Sequence, residues 1–74
     1  MIGSNQINII NYLVICINDF AEQVGISPKE SYVYLAEYGG LDFLMEHYEI
    51  EHTLSLDDVL DDLMLICRNN GGNL

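Results

Sequence analysis

Residues 41–65 read LDFLMEHYEIEHTLSLDDVLDDLML and carry the strongest structural signals in the chain. The start of a helix is marked at residues 54–59 (LSLDDV), because Ser55 can cap the first turn and Leu54 can pack against Val59. Beyond Ser55, apolar residues recur with the period of an amphipathic helix, at Leu56, Val59, Leu60, Leu63, Met64 and Cys67. This pattern predicts a helix over about residues 56–68 with one buried face.

Upstream, a longer helix is predicted over about residues 6–24. Its apolar stripe is formed by Ile10, Leu13, Ile17, Phe20, Ala21 and Val24. Ser4 or Asn5 can cap its start, and Gly25 can end it in the left-handed conformation. Further apolar residues make its middle apolar nearly all round, namely Ile9, Val14, Ile15 and Cys16. Such a helix is either central in the fold or covered by a second copy of the chain.

Two shorter helices are predicted between these. Ser27-Pro28-Lys29-Glu30 has the pattern of a capping box with proline in the first turn, so a helix is expected over 28–38, ending at Gly39-Gly40. Its buried face is predicted to hold Tyr32, Leu35 and Ala36. A third helix is predicted over 41–48, followed by an extended crossover at residues 49–53 (EIEHT). The predicted fold is all-α, a compact single domain of four helices over residues 1–74.

The charge balance excludes several classes of partner. The chain has 74 residues with twelve Asp and Glu against Lys29 and Arg68, a formal net charge of −10. Two cations cannot neutralise a row of phosphates, so we expect no nucleic acid and no membrane as partner. Residues 20–35 superficially read as a helix-turn-helix, but the second helix offers little positive charge for DNA. The acidity favours either solubility or a partner protein with a basic surface.

The two cysteines, Cys16 and Cys67, both lie in apolar helical stretches. Thiols in that setting are typical of small core residues in a reducing compartment. No basic segment precedes the first apolar run, so we expect no secretory signal, and that run is too short to span a membrane. These features predict a cytoplasmic protein.

Asp57, Asp58, Asp61 and Asp62 form the first candidate site, with the pattern DDxxDD. Acids in the first turn of a helix are favourable, which accounts for Asp57 and Asp58. Asp61 and Asp62 instead create like-charge pairs four residues apart, which destabilise a helix. The pattern is compatible with a solvated face, with contact to a basic partner, or with a metal site, although a chain of this length has no room for a diphosphate cavity.

The two histidines form a second candidate site. His47 and His52 lie among Glu46, Glu49 and Glu51 and could supply metal ligands. Their spacing crosses a predicted helix end, so their rings need not converge. The alternative is ordinary packing, with one ring nitrogen of His52 bonded to the backbone. No catalytic residue set, no cofactor motif and no metal site is predicted, and we expect the protein not to be an enzyme.

The third candidate site consists of tyrosines on the two short helices, at Tyr34, Tyr38 and Tyr48. Tyrosine is enriched at interfaces because it joins an apolar ring to a polar tip. Filling of the core is the alternative function for these rings.

A series of motifs between residues 13 and 67 is similar to a known family. They are Cys16-Ile17, the helix start Ile26-Ser27-Pro28-Lys29-Glu30, Tyr38-Gly39, Asp42-Phe43, Tyr48 with His52-Thr53, and the closing helix Val59 to Leu63. Together they resemble a family of small bacterial proteins of unknown function, mostly from Firmicutes and their neighbours. Glu51 stands here where that family often shows leucine.

The resemblance implies a partner. Genes of that family are often seen beside genes for a predicted ADP-ribosyltransferase-like domain, which suggests an antitoxin- or immunity-like role. Taken with the acidic helix, it favours a non-enzymatic module that binds another protein through Asp57, Asp58, Asp61 and Asp62 and the tyrosines. The alternatives are a homo-oligomeric structural protein, such as a homodimer, and a small metal-binding protein that uses His47 and His52.

Overall fold

Five helices make up the computed structural model, which describes residues 4–74, with side chains described from residue 8 onward. The helices are α1 (Ser4–Val24), α2 (Pro28–Glu37), α3 (Gly40–Glu46), α4 (Tyr48–Glu51) and α5 (Leu56–Asn69). The all-α prediction is confirmed, and the four predicted helices lie within two residues of their expected bounds. The third, predicted over 41–48, ends at Glu46. The predicted cap at Ser4 or Asn5 lies outside the described side chains.

The helix ends follow the local signals in the sequence. Ser27 Oγ accepts a hydrogen bond from the Glu30 N–H at 3.1 Å, and Glu30 Oε1 accepts one from the Ser27 N–H at 3.0 Å, which is the predicted capping box. Ser55 Oγ likewise accepts from the Asp58 N–H at 3.2 Å. Gly25 has a φ of 77°, and the next N–H, of Ile26, donates to the Ala21 carbonyl at 3.0 Å. That geometry is the expected left-handed end of a helix.

The extended crossover predicted for residues 49–53 is wrong. Tyr48–Glu51 forms the single-turn helix α4, and His47 is the turn that separates it from α3. The His47 carbonyl accepts from the N–H groups of Ile50 at 3.1 Å and Glu51 at 2.9 Å. A single turn is too short to show an apolar stripe, which is why the periodicity did not indicate it. The fold therefore has five helices among its described residues, one more than predicted.

The core is formed where α1, α2, α3 and α5 meet. Its buried residues are Cys16, Phe20, Tyr34, Leu35, Leu44, Val59, Leu60, Leu63 and Cys67. The predicted stripe of α5 is confirmed at Val59, Leu60, Leu63 and Cys67, while Leu56 at its start is exposed. Gly40 lies against this core, and a Cβ there would come within 2.9 Å of Leu35 Cδ2. The start of α3 is therefore close to its neighbours because Gly40 has no side chain.

The predicted face of α2 is corrected by the structure. Ser31, Tyr34 and Leu35 are buried, whereas Tyr32 and Ala36 are exposed. Ser31 Oγ donates to the Ile17 carbonyl at 2.7 Å, so this small polar residue can lie against α1 without losing its hydrogen bond. A search for apolar residues alone missed this position.

The first helix is the longest of the described helices, and part of its apolar surface is exposed. At 21 residues it spans about 31 Å, and the molecule measures 38 × 21 × 21 Å. Ile10 belongs to its predicted core stripe but is exposed, and so are Val14 and Ile15. Among the described helices, none has the combined length and apolar character needed to cross a membrane alone.

Candidate functional site

The four aspartates of α5 separate into two pairs. Asp57 and Asp61 lie one turn apart on the side that faces the end of α1, and Asp58 and Asp62 lie about 100° further round the helix. Asp57, Asp58 and Asp61 are exposed, whereas Asp62 is half-buried. By position along the helix, the pairs are Asp57 with Asp58 and Asp61 with Asp62. By their surroundings in the structure, the pairs are Asp57 with Asp61 and Asp58 with Asp62.

Asp57 and Asp61 line a groove between α1 and α5. This α1–α5 groove has a volume of about 220 Å³ and is formed by Phe20, Gln23, Val24, Asp57, Leu60, Asp61 and Met64. Phe20 and Leu60 are buried, and Val24 and Met64 are half-buried. The groove thus has an apolar floor with two carboxylates on one rim.

Asp62 belongs to a different environment, beside the buried carboxyl of Glu51. Glu51 is only 5 % exposed, and its Oε1 has no hydrogen-bond partner among the described residues. The pKa of Glu51 is raised to about 7, mainly because the carboxyl is buried and in addition because the Asp62 carboxylate lies beside it. Below about pH 7, the Glu51 carboxyl is therefore largely protonated.

Two groups on α1 complete this buried environment. Burial is the main cause that raises the pKa of Tyr12, and the charge of Glu51 adds to it; the Tyr12 hydroxyl also has no partner oxygen or nitrogen in the described part of the chain. Burial raises the pKa of the Cys16 thiol to about 11. These groups are neutral at physiological pH, so the cluster offers no activated nucleophile.

This cluster was missed by sequence reasoning. Glu51 sits in a short helix that was predicted to be extended, and acids are rarely buried. The available signal was the expectation, implied by the resemblance alone, of a leucine where Glu51 stands. The pKa of Glu51 is raised because its carboxyl is buried.

The three tyrosines predicted for binding are held by internal contacts. Tyr34 is 8 % exposed, its ring stacks on Phe20 at 5.8 Å between centroids, and its hydroxyl accepts from the Leu74 N–H at 3.2 Å. Tyr38 is half-buried with its ring 4.9 Å from that of Tyr34. Tyr34 is thus a core residue, with only a small part of its surface exposed.

Tyr48 is also half-buried and lies edge-on to Tyr12, with ring centroids 5.3 Å apart. Tyr34, Tyr38 and Tyr48 are all outside the lining of the α1–α5 groove. The structure does not bring the predicted tyrosines and the acidic pair into one site. Tyr32, which is exposed, is the tyrosine of α2 that faces solvent.

The two histidines line a second groove. Both His47 and His52 line a groove of about 530 Å³ between the start of α1 and the α3–α4 turn, here called the α4 groove, together with Asn8, Ile9, Met45, Glu46, Tyr48, Glu49 and Ile50. His52 stacks on Tyr48 at 4.5 Å, and its Nδ1 donates to the Tyr48 carbonyl at 2.6 Å. The backbone bond predicted for His52 is confirmed. From residue 8 onward, no three His, Cys, Asp or Glu side chains come close enough to hold a metal ion.

The comparisons with known proteins give one match. No curated protein and no solved structure matches the chain. The model of the family described as "Protein of unknown function (DUF3791)" matches residues 11–70, which include the capping box, both histidines and the acidic helix. The resemblance to a family of unknown function is confirmed at that level, and the chain belongs to the DUF3791 family.

Proposed function

We propose that this chain is a non-enzymatic interaction module that binds another protein through the acidic face of α5. The observation that carries the proposal is that Asp57, Asp58 and Asp61 are all exposed on α5. Acids in the first turn stabilise a helix, but Asp61 lies beyond it, and its repulsion from Asp57 destabilises the helix. A basic partner would convert that repulsion into attraction and would speed encounter.

The partner proposed is an ADP-ribosyltransferase-like protein, for which this chain would act as an antitoxin- or immunity-like subunit. Support comes from the gene neighbourhood that the family resemblance implies, together with the strong negative charge. Cys16 and Cys67 are buried free thiols, which supports action in a reducing, cytoplasmic environment.

The test is co-expression with the neighbouring ADP-ribosyltransferase-like gene product, followed by affinity purification. We expect a stoichiometric complex with the wild-type chain. Amide substitution of all four aspartates (Asp57→Asn, Asp58→Asn, Asp61→Asn, Asp62→Asn) should abolish co-purification while circular dichroism shows a retained helical fold.

A charge-matched control distinguishes binding through the acidic face of α5 from a general effect of net charge. Glu22, Asp42, Glu46 and Glu49 are exposed acids outside α5, and their amide variant changes the net charge by the same amount. That control should still bind. If no complex forms, the antitoxin-like proposal is wrong; if both variants bind equally, the acidic face of α5 is not the contact.

Self-association is a second candidate, supported by the exposed apolar residues of α1. Ile10, Val14 and Ile15 each expose at least half of their surface. A homodimer that covered this face should dissociate in the Val14→Asp variant, as measured by light scattering. A wild-type chain that is monomeric at every working concentration would remove this candidate.

A further inference from the structure

The α1–α5 groove combines an apolar floor with a pair of carboxylates on its rim. Together these two features indicate the chemistry of a ligand. The floor of the groove is apolar, with Phe20 and Leu60 from two helices, and the half-buried Val24 and Met64 widen it. Its volume of about 220 Å³ leaves room for one apolar side chain from outside. Insertion of such a side chain would bury apolar surface on both partners.

The two acidic residues that line the groove both belong to α5. Asp57 and Asp61 are exposed and are separated by about 6 Å along the axis of α5. On the α1 side the rim is Gln23, which is neutral. The two carboxylates of α5 favour a cation above the α5 rim.

The chain's own cations lie elsewhere. Its basic side chains are Lys29 and Arg68. Lys29 lines a different groove, beside Ile26 and Val33, and Arg68 Nε donates to the Leu74 carbonyl at 2.8 Å. Neither residue lines the α1–α5 groove. The two rim carboxylates are left for a cation that the chain does not supply.

We propose that the α1–α5 groove binds a basic amphipathic helix of a partner protein. One apolar side chain of that helix enters between Phe20, Val24, Leu60 and Met64, and two lysines or arginines four residues apart pair with Asp57 and Asp61. The spacing matches because one turn separates the two acids on α5 and one turn separates the two cations on the partner helix. This inference rests on the proposed function and specifies which part of the acidic face makes the contact.

The test begins with selection from a phage library of random 12-residue peptides against the full chain. Enriched peptides should carry Lys or Arg four residues apart with Leu, Ile, Met or Phe between them. Selected peptides that lack the basic pair, or a selection that yields no binder, would overturn the proposal.

Binding of the enriched peptide is then measured against two variants with equal charge change. Asp57→Asn with Asp61→Asn should weaken binding about fivefold or more, because two exposed ion pairs are lost. Asp58→Asn with Asp62→Asn changes the other pair and should have little effect. An equal loss of peptide affinity in both variants would contradict binding at the α1–α5 groove. It would remain compatible with binding across the whole acidic face of α5.

The apolar half of the proposal has its own measurement. Met64→Ala should weaken peptide binding, whereas Met45→Ala, at an exposed methionine of the α4 groove, should not. In NMR spectra, the peptide should shift the methyl signals of Val24, Leu60 and Met64. Shifts confined to Ile9, Met45 and Ile50 would place the ligand in the α4 groove and refute the inference.

Discussion

Glu51 is the residue whose behaviour differs most from what its type suggests. Glutamates are normally solvated, yet this one is 95 % covered and faces the half-buried Asp62. A buried carboxyl without a compensating cation keeps its proton to a higher pH than an exposed one. The consequence is a stability that depends on pH through one identifiable group.

The sign of that dependence follows from the raised pKa. Glu51 has a pKa of about 7 in the folded chain against an ordinary value of 4.5. Between these values the folded state holds a proton that the unfolded state has released, so the contribution of Glu51 to the free energy of unfolding falls as pH rises from 4.5 to 7. The loss from this group is on the order of 3 kcal/mol.

We therefore predict that Glu51→Gln, which cannot ionise, is more stable than the wild type by about 1–3 kcal/mol at pH 8 and nearly equal at pH 4.5. Urea denaturation at a series of pH values measures this difference. Glu49→Gln, at the exposed glutamate two residues earlier, is the control and should retain the wild-type pH dependence. An unchanged pH slope in Glu51→Gln would show that another group causes it.

At the scale of the elements, the helix starts are the most strongly encoded features. In the capping box, the backbone N–H groups of Ser27 and Glu30 donate to side-chain oxygens over 3.0 and 3.1 Å. The hydrogen bond from the Ser27 N–H also lowers the pKa of Glu30. Such bonds are made within four residues, so they depend on local sequence and not on the rest of the fold.

We predict that Ser27→Ala lowers the free energy of unfolding by about 1 kcal/mol, because the first turn of α2 loses its capping oxygen. Chemical denaturation measures the loss. Ser27→Asp restores an accepting oxygen and should recover most of the stability. If the alanine and aspartate variants are equally destabilised, loss of the cap is not the cause.

The short helix α4 shows the limit of local signals. Its single turn closes on the His47 carbonyl, and its core-facing residue is Glu51. Neither apolar period nor a capping pattern marks it in the sequence. In the fold, Tyr48 of α4 contacts Tyr12 of α1, and Glu51 lies beside Asp62 of α5. Tertiary contacts of this kind supply most of the stability of a short helix.

At the scale of the whole molecule, the two cysteines report on the integrity of the single core. Cys16 on α1 and Cys67 on α5 are both fully buried. Burial raises the pKa of Cys16 to about 11 and also raises that of Cys67. Both thiols are therefore protonated and inaccessible while the helices remain packed.

We predict that neither thiol reacts with a disulfide reagent in the native protein at pH 8 except through unfolding, whereas both react at once in denaturant. The labelling rate should follow the unfolding rate or the open population as urea is added. Rapid labelling of one thiol under native conditions would show that its helix opens locally. A peptide-scale mass analysis would identify which cysteine had reacted.

The sequence by itself determined the helical class, the starts at Ser27 and Ser55, the end at Gly25 and the buried stripe of α5. Each of these depends on hydrogen bonds or apolar spacing within a few residues along the chain. Only the tertiary structure decided that Tyr34 is a core residue, that Ile10 is exposed, that Glu51 is buried beside Asp62, and that Asp57 and Asp61 flank an apolar groove. These outcomes depend on which helices pack against each other. Because α1 and α5 are far apart in the sequence, no local pattern in either helix indicates that they are in contact.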